Sequence, residues 1–143
     1  MKMILASLLV AVALCGAAGH VSAADLERLA GTWSVEKTNE EGQKYKQVLK
    51  IDGDAFTFRI VGGDGSPSLF AEGKVELKRT GPFSMVRFHD IKAGGSQSDL
   101  QPADEDYSAI YRLGYDTWSL AVNFDRYRDN QQPSVDVYKR VRE

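Results

Sequence analysis

Reactive side chains are scarce in this sequence. Its 143 residues contain one cysteine, Cys15, and two histidines, His20 and His89. Lys and Arg number 18 against 20 Asp and Glu, so the chain has no excess of positive charge that would suit a nucleic-acid partner. A chain of this length predicts one domain with a single core.

The N-terminal segment has the pattern of a secretory signal peptide. Lys2 precedes an apolar run from Ile4 to Leu14, which is too short to predict a stable membrane span. Small residues follow, and Val21-Ser22-Ala23 suits a signal peptidase. We therefore predict cleavage after Ala23 and a periplasmic or secreted location.

Removal of this segment leaves the mature domain, residues 24–143, with fewer side chains that could bind a metal or act in catalysis. Cys15 and His20 leave with the signal peptide, so His89 is the one histidine that stays. This excludes, within one chain, a disulfide framework, a cysteine nucleophile and a metal site built from several Cys or His. A lipoprotein signal with lipidation of Cys15 is the alternative to cleavage after Ala23, although Leu14 is larger than the residue that normally precedes a lipidated cysteine.

Apolar and polar residues alternate along most of the mature sequence, which is typical of strands. Only residues 25–30 have helical spacing. The pattern predicts eight strands, near Thr32–Thr38, Lys44–Ile51, Ala55–Val61, Leu69–Lys78, Phe83–Ile91, Tyr107–Leu113, Thr117–Phe124 and Ser134–Val141.

The segments between the strands are mostly short. Turns rich in Gly, Asp and Pro lie at 52–54, 80–82 and 114–116, and the longer connections are Lys92–Asp106 and Asp125–Pro133. Short links between consecutive strands favour an antiparallel up-and-down arrangement, and closure into a barrel removes exposed edges. We therefore predict an all-β, eight-stranded antiparallel β-barrel with a short N-terminal helix. Its interior would hold side chains or one small ligand.

The inward face of the strand at 83–91 is ambiguous, because both faces carry apolar residues. One face has Phe83, Met85, Arg87, His89 and Ile91, and the other has Ser84, Val86, Phe88 and Asp90. If the first face points inward, the barrel interior is partly polar. On the strand at 117–124, Trp118, Leu120, Val122 and Phe124 share one predicted inward face.

The order of these features resembles the lipocalin-like (calycin) superfamily. The segment Leu29-Ala30-Gly31-Thr32-Trp33 is similar to the Gly-x-Trp signature that opens its first strand, and Arg140 lies where that superfamily places a basic residue. The resemblance implies that Arg140 packs across Trp33 and closes one barrel end. Stacking of a guanidinium on an indole makes this pairing physically reasonable.

A closer resemblance is to a short secreted bacterial lipocalin-like domain family of unknown function. The similar segments are 53–57 (Gly-Asp-Ala-Phe-Thr), 111–120 and 135–140 (Val-Asp-Val-Tyr-Lys-Arg). Unlike larger lipocalins, the sequence has no long helix after the last strand. Between its first two strands it has no helix pair of the kind that fatty-acid-binding proteins use as a lid. The resemblance therefore implies the fold more strongly than a ligand.

Aromatic residues with one arginine would suit a small amphipathic ligand that carries an acid group. The predicted ligand-binding residues are Tyr45, Phe58, Arg87, His89, Tyr111 and Trp118. Arg87 would contact the anionic end, and the aromatic rings would form the walls. We predict an exported, non-catalytic protein that binds a small apolar or amphipathic molecule in its barrel, without a cofactor. A filled core with no cavity is the alternative for a barrel this small.

Other functions have weaker support. A protein-binding module, such as an inhibitor of a secreted hydrolase, could act through the two long connections. An enzyme is disfavoured, because His89 has no acid marked out as its partner. Acidic residues at Asp99 and 104–106 do not have the spacing of an EF-hand loop, so no metal site is predicted.

Overall fold

The structure is a computed structural model that describes residues 23–125 and 131–142. The predicted signal peptide lies outside the described residues apart from Ala23, and residues 126–130 of the second long connection lie outside them too. In this part of the chain, no helix has the length and apolar character needed to cross a membrane. The elements are α1 (Ala23–Leu29), β1 (Gly31–Thr38), β2 (Lys44–Asp52), β3 (Ala55–Gly62), β4 (Pro67–Thr80), β5 (Phe83–Gly94), β6 (Gln101–Pro102), β7 (Tyr107–Leu113), β8 (Thr117–Val122) and β9 (Ser134–Arg140).

Eight of these strands form a closed antiparallel barrel. Each strand pairs with the next in the order β1, β2, β3, β4, β5, β7, β8 and β9. The ring closes between β9 and β1, where Arg140 lies opposite Trp33 and Lys139 lies opposite Ser34. The predicted eight-stranded up-and-down barrel with a short N-terminal helix is therefore confirmed.

Most strands begin and end within two residues of the predicted limits, and two differences affect the description of the barrel. The segment 92–106 was expected to be a loop, but β5 continues to Gly94, and the two-residue β6 pairs with Lys92 and Ala93. At β8, the expected strand is too long. The strand ends at Val122, and Phe124 lies beyond it with 42% of its surface exposed rather than pointing inward.

The two ends of the barrel are built differently. Helix α1, the turns at 53–54, 81–82 and 114–116, and the end of β9 lie at one end, called the closed end below. The β1–β2 and β3–β4 loops and the β5–β7 and β8–β9 connections lie at the other end, called the open end. Strands alternate in direction, so every second connection returns to the same end.

The half of the barrel next to the closed end is filled by aromatic side chains. Trp33 and Trp118 are fully buried, and their rings meet edge to face with centroids 5.8 Å apart. Around Trp118 lie Phe88 at 6.5 Å and Tyr138 at 6.3 Å, and Phe56 packs on Phe88 at 5.0 Å. These separations are typical of favourable aromatic pairs, so this half is a packed core rather than a cavity.

The inward face of β5 changes at a bulge within the strand. Val86 is fully buried and Phe88 packs against the core, so the second of the two predicted faces is the inner one at this point. At Asp90 the backbone has a φ of 50°, and the register with β4 shifts by one residue. The shift turns Ile91 inward, where it is buried, although it belongs to the opposite face by alternation.

Candidate functional site

Trp33 and Arg140, the two residues predicted to close the barrel, lie together at its closed end. The Arg140 guanidinium carbon is 4.2 Å from the centroid of the Trp33 ring. Its Nη1 donates to the Ala30 carbonyl at 2.8 Å and its Nη2 to the Arg28 carbonyl at 2.6 Å. The Trp33 indole N–H donates to the Leu29 carbonyl at 2.8 Å. These contacts fasten the end of α1 across the barrel.

Two of the predicted ligand residues belong to this filled half. Tyr111 is buried, and its hydroxyl donates to the Asp25 carboxylate at 2.9 Å. Burial raises the pKa of Tyr111, and the hydrogen bond to Asp25 raises it further. Trp118 is fully buried, and its indole N–H has no acceptor among the described residues. Both side chains therefore form the floor beneath any ligand rather than its walls.

Arg87 and His89 lie on the outer face of β5. Arg87 donates to Asp106 through Nε at 3.1 Å, and its Nη1 is 3.4 Å from Glu76 on the neighbouring strand. The hydrogen bond to Asp106 raises the pKa of the guanidinium. His89 contacts the exposed carboxylate of Asp90 at 3.1 Å. The structure therefore does not bring Arg87 or His89 to the barrel interior, because Val86 and Phe88 occupy the inward positions of this strand.

An ion pair lies in the barrel interior, where Arg87 was expected. Lys37 of β1 shares the inward face of Trp33, and Asp136 of β9 shares the inward face of Tyr138. The Lys37 ammonium is 2.9 Å from both carboxylate oxygens of Asp136. The Lys37 side chain is 27% exposed and that of Asp136 is 11% exposed, so the pair is largely shielded from solvent. Removal of either partner would leave the other charge partly buried without compensation, which is strongly destabilising.

A second polar contact lies beside this ion pair. The Tyr138 hydroxyl donates to the Gln47 side-chain oxygen at 3.0 Å. Burial raises the pKa of Tyr138, and the negative charge of Asp136 and the nearby Tyr45 raise it further. Tyr45 itself lies directly opposite Lys37 in the β1–β2 register. We call Lys37, Tyr45, Gln47, Asp136 and Tyr138 the inner polar cluster.

Apolar side chains around the cluster remain partly accessible. Val35, Phe58, Ala71 and Val122 pack on the core, yet they are only half-buried. Partly buried apolar residues lie toward the closed end too, at Leu77 and Leu113, while Ile91 toward the open end is buried. The apolar side chains next to the cluster are therefore partly accessible and lie above an aromatic floor.

A cleft at the open end includes one member of the inner polar cluster, Tyr45. It has a volume of about 520 Å³ and lies between the β1–β2 and β3–β4 loops. Its lining is formed by Asn39, Gln43, Lys44, Tyr45, Gly62, Gly63 and Asp64. Tyr45 lines this cleft and stands opposite Lys37 in the β1–β2 register. A molecule in this cleft would contact Tyr45, the neighbour of the ion pair.

Another cleft, of about 430 Å³, lies outside the closed end. Its lining includes Arg28, Arg140, Arg142 and Asp116. These cations already have partners: Arg142 pairs with Asp116, Arg28 is 3.5 Å from Asp25, and Arg140 is held by backbone carbonyls. Pairing within the chain explains this group, so we place the candidate site at the open end.

The acidic connection between β5 and β7 is held to the barrel by Arg87 through Asp106. Among the residues that the structure describes, no group of three or more acidic, histidine or cysteine side chains could hold a metal ion. The Ala103 amide also donates to the Ile91 carbonyl at 2.8 Å. Of the two connections suggested for a protein partner, this one is tied back, and Asp125–Pro133 lies only partly within the described residues.

Sequence patterns missed four members of the inner polar cluster: Lys37, Gln47, Asp136 and Tyr138. Alternation alone could have found Lys37, because it is four residues beyond Trp33 on the same side of the strand. Asp136 was obscured by Val135 and Val137, which look like an inward face but point outward. Of the predicted ligand residues, Tyr45 and Phe58 lie in the open half.

Comparison of the chain with protein-family models, with curated proteins and with solved structures finds no match. A closed, eight-stranded antiparallel barrel with one short helix is compatible with a lipocalin-like fold.

Proposed function

We propose that this protein binds a small amphipathic molecule in the open half of its barrel, as an exported, non-catalytic lipocalin-like protein. The observation that carries the proposal is the inner polar cluster, which lies among partly buried apolar side chains and whose Tyr45 lines the cleft at the open end. Apolar pockets with a few polar groups are typical of small-molecule sites. Export is proposed from the N-terminal sequence pattern, and kinship with short secreted bacterial lipocalin-like proteins from the motif resemblance.

The charges suggest how such a ligand would be oriented. Lys37 is more exposed than Asp136, so the ammonium is the partner that an incoming group meets more easily. An acidic group can share the ammonium with Asp136, while the apolar part of the ligand packs against Phe58 and Val122. The filled aromatic floor limits the depth of the site, which favours a short ligand over a long chain.

The test uses 1-anilinonaphthalene-8-sulfonate, an amphipathic anion whose fluorescence rises in apolar sites. We expect saturable binding to the wild type, with energy transfer from the indoles of Trp33 and Trp118. Lys37→Met should weaken binding about tenfold, or about 1.4 kcal/mol, because it removes the cation and leaves Asp136 to repel the probe. Lys50→Met, on the exposed outer face of β2, is the matched control and should bind like the wild type.

A second variant separates binding from stability, because Lys37→Met also leaves Asp136 without its cation. Ala71→Phe adds bulk to a half-buried inward position and keeps every charge. We expect it to abolish probe binding while its far-ultraviolet circular dichroism stays that of the wild type. If the probe binds the folded Ala71→Phe variant as tightly as the wild type, the site is not inside the barrel and the proposal fails.

A further inference from the structure

Four apolar side chains form a row across the outside of the barrel. Met85 lies opposite Ile110, Ile110 opposite Ala121, and Ala121 opposite Val135, so the row crosses β5, β7, β8 and β9 in register. Each residue is flanked along its strand by inward-facing neighbours, which places all four on the outer face. Val135 is 65% exposed, and Val137 beside it is exposed as well. We call Met85, Ile110, Ala121 and Val135 the outer row.

The opposite side of the barrel has a different surface. The outer faces of β2, β3 and β4 carry exposed charges at Lys46, Lys50, Arg59, Glu72 and Lys74. Such a surface is well solvated. Val48 and Phe70 are apolar on that side too, but Arg59 stands between them in register. The outer row is uninterrupted across four strands, and exposed apolar patches of this kind mark protein contacts.

Charges of opposite sign flank the outer row along β7. Arg112 lies two residues beyond Ile110 toward the closed end, about 7 Å away, and Asp106 lies four residues before it, about 13 Å away. Arg112 is exposed and has no ion-pair partner among the described residues. Both bonds from Arg87 to Asp106 end on Oδ2, so Oδ1 of Asp106 can accept from a second cation.

We propose that a second copy of this chain docks on the outer row, with the row lying along a two-fold axis. The two-fold rotation places the outer row of one copy against the outer row of the other. The strands of the two copies then run in opposite directions across the interface. Arg112 of one copy then approaches the acidic side of β7 in the other, within reach of Asp106, and the reciprocal pair forms at the same time. Symmetric contacts of this kind are the rule for two-fold dimers, and the opposite charges favour antiparallel over parallel stacking.

Sedimentation velocity over a wide range of protein concentration tests the proposal on the mature chain. We expect the wild type to form a dimer, and Val135→Lys to raise the dimer dissociation constant at least tenfold. Val135 is largely exposed, so this variant should fold like the wild type, with an unchanged far-ultraviolet circular dichroism spectrum. Val48→Lys, on the outer face of β2, is the control and should dimerise like the wild type. A wild type that is monomeric throughout overturns the proposal and leaves the row for a different partner. A Val48→Lys variant that disrupts the dimer as strongly as Val135→Lys also overturns it.

A mixing experiment tests the antiparallel arrangement itself. Arg112→Glu and Asp106→Lys each place two like-charged pairs in a homodimer, so each alone should dimerise weakly. In a mixed dimer, Asp106 of the Arg112→Glu chain meets Arg112 of the Asp106→Lys chain, which is the wild-type pair. The other pair joins the two substituted positions, and its charges are again opposite. We expect the mixture to recover the wild-type sedimentation coefficient. If two folded variants stay monomeric after mixing, the antiparallel arrangement is wrong.

Discussion

Arg140 holds together parts of the chain that are far apart in sequence. Helix α1 has seven residues, and a helix that short is not stable in water on its own. The guanidinium reaches two carbonyls at the end of the helix and covers the ring of Trp33 at the same time. A planar group with donors along two edges can make all three contacts, whereas a lysine ammonium cannot.

Arg140→Lys should therefore lower the free energy of unfolding by about 2 kcal/mol, since it loses at least one charged hydrogen bond to a carbonyl and the stacked contact. Urea denaturation at one protein concentration measures the change. Arg59→Lys, at an exposed position on β3, is the control and should stay within about 0.5 kcal/mol of the wild type. Equal losses in the two variants would show that the stacking at the closed end adds no stability.

Single residues also show where sequence patterns are informative. Trp33 and Arg140 were identified because a resemblance linked them, and their geometry is local to one end. Arg87 was placed inside on a conditional reading of β5, and no pattern distinguished its face from that of Val86. Lys37 is inside the barrel although a lysine in a strand usually points outward, and only its contact with Asp136 explains that position.

At the level of elements, β5 and β9 show why alternation alone does not tell which face of a strand points inward. Alternation assumes an unbroken period of two, and the bulge at Asp90 interrupts that period in β5. In β9, the pairing of Arg140 with Trp33 sets the register, so Asp136 turns inward and Val135 outward. Val135 therefore points outward and forms part of the outer row.

The bulge in β5 depends on a glycine in the neighbouring strand. A Cβ atom at Gly73 would lie 2.6 Å from the His89 carbonyl oxygen, 2.9 Å from the Phe56 ring and 3.0 Å from the Asp90 carbonyl oxygen. Two of these three atoms belong to the backbone of the bulge, so they cannot move without disturbing the β4–β5 pairing.

Gly73→Ala should accordingly destabilise the fold by about 2 kcal/mol or more, in the range of overpacked cores. Differential scanning calorimetry provides the measurement, as a lower melting temperature. Gly95→Ala is the matched control, because a Cβ atom at Gly95 would meet nothing within 4 Å. An unchanged melting temperature in Gly73→Ala would mean that the bulge relaxes easily, and the register shift would then not be a fixed feature of the barrel.

For the whole molecule, the turns were the strongest signal in the sequence. Short Gly- and Asp-containing links predicted consecutive antiparallel strands, and all eight strands of the barrel lie close to the predicted positions. Ring closure through β1 and β9 follows from the need to cover two edges. The outer half of the interior could not be predicted, because its polarity depends on contacts between β1, β2 and β9 that join residues nearly one hundred positions apart.

Burial of two tyrosines links the stability of the whole barrel to alkaline pH. The pKa values of Tyr111 and Tyr138 are raised in the folded protein, chiefly by burial, so the folded state keeps these protons when the unfolded state loses them. The free energy of unfolding should be unaffected below about pH 10, the ordinary pKa of tyrosine, and should fall above it. Each tyrosine contributes a slope of up to about 1.4 kcal/mol per pH unit.

Urea denaturation at a series of alkaline pH values measures this slope. Tyr138→Phe removes one of the two titrating groups, so its slope should be about half that of the wild type over the same interval. The variant also loses the hydrogen bond to Gln47, but this lowers the stability by the same amount below pH 10 and does not imitate a change of slope. An identical slope in both proteins would mean that Tyr138 ionises in the folded barrel as readily as in the unfolded chain, and the floor of the proposed ligand site would then be accessible to water.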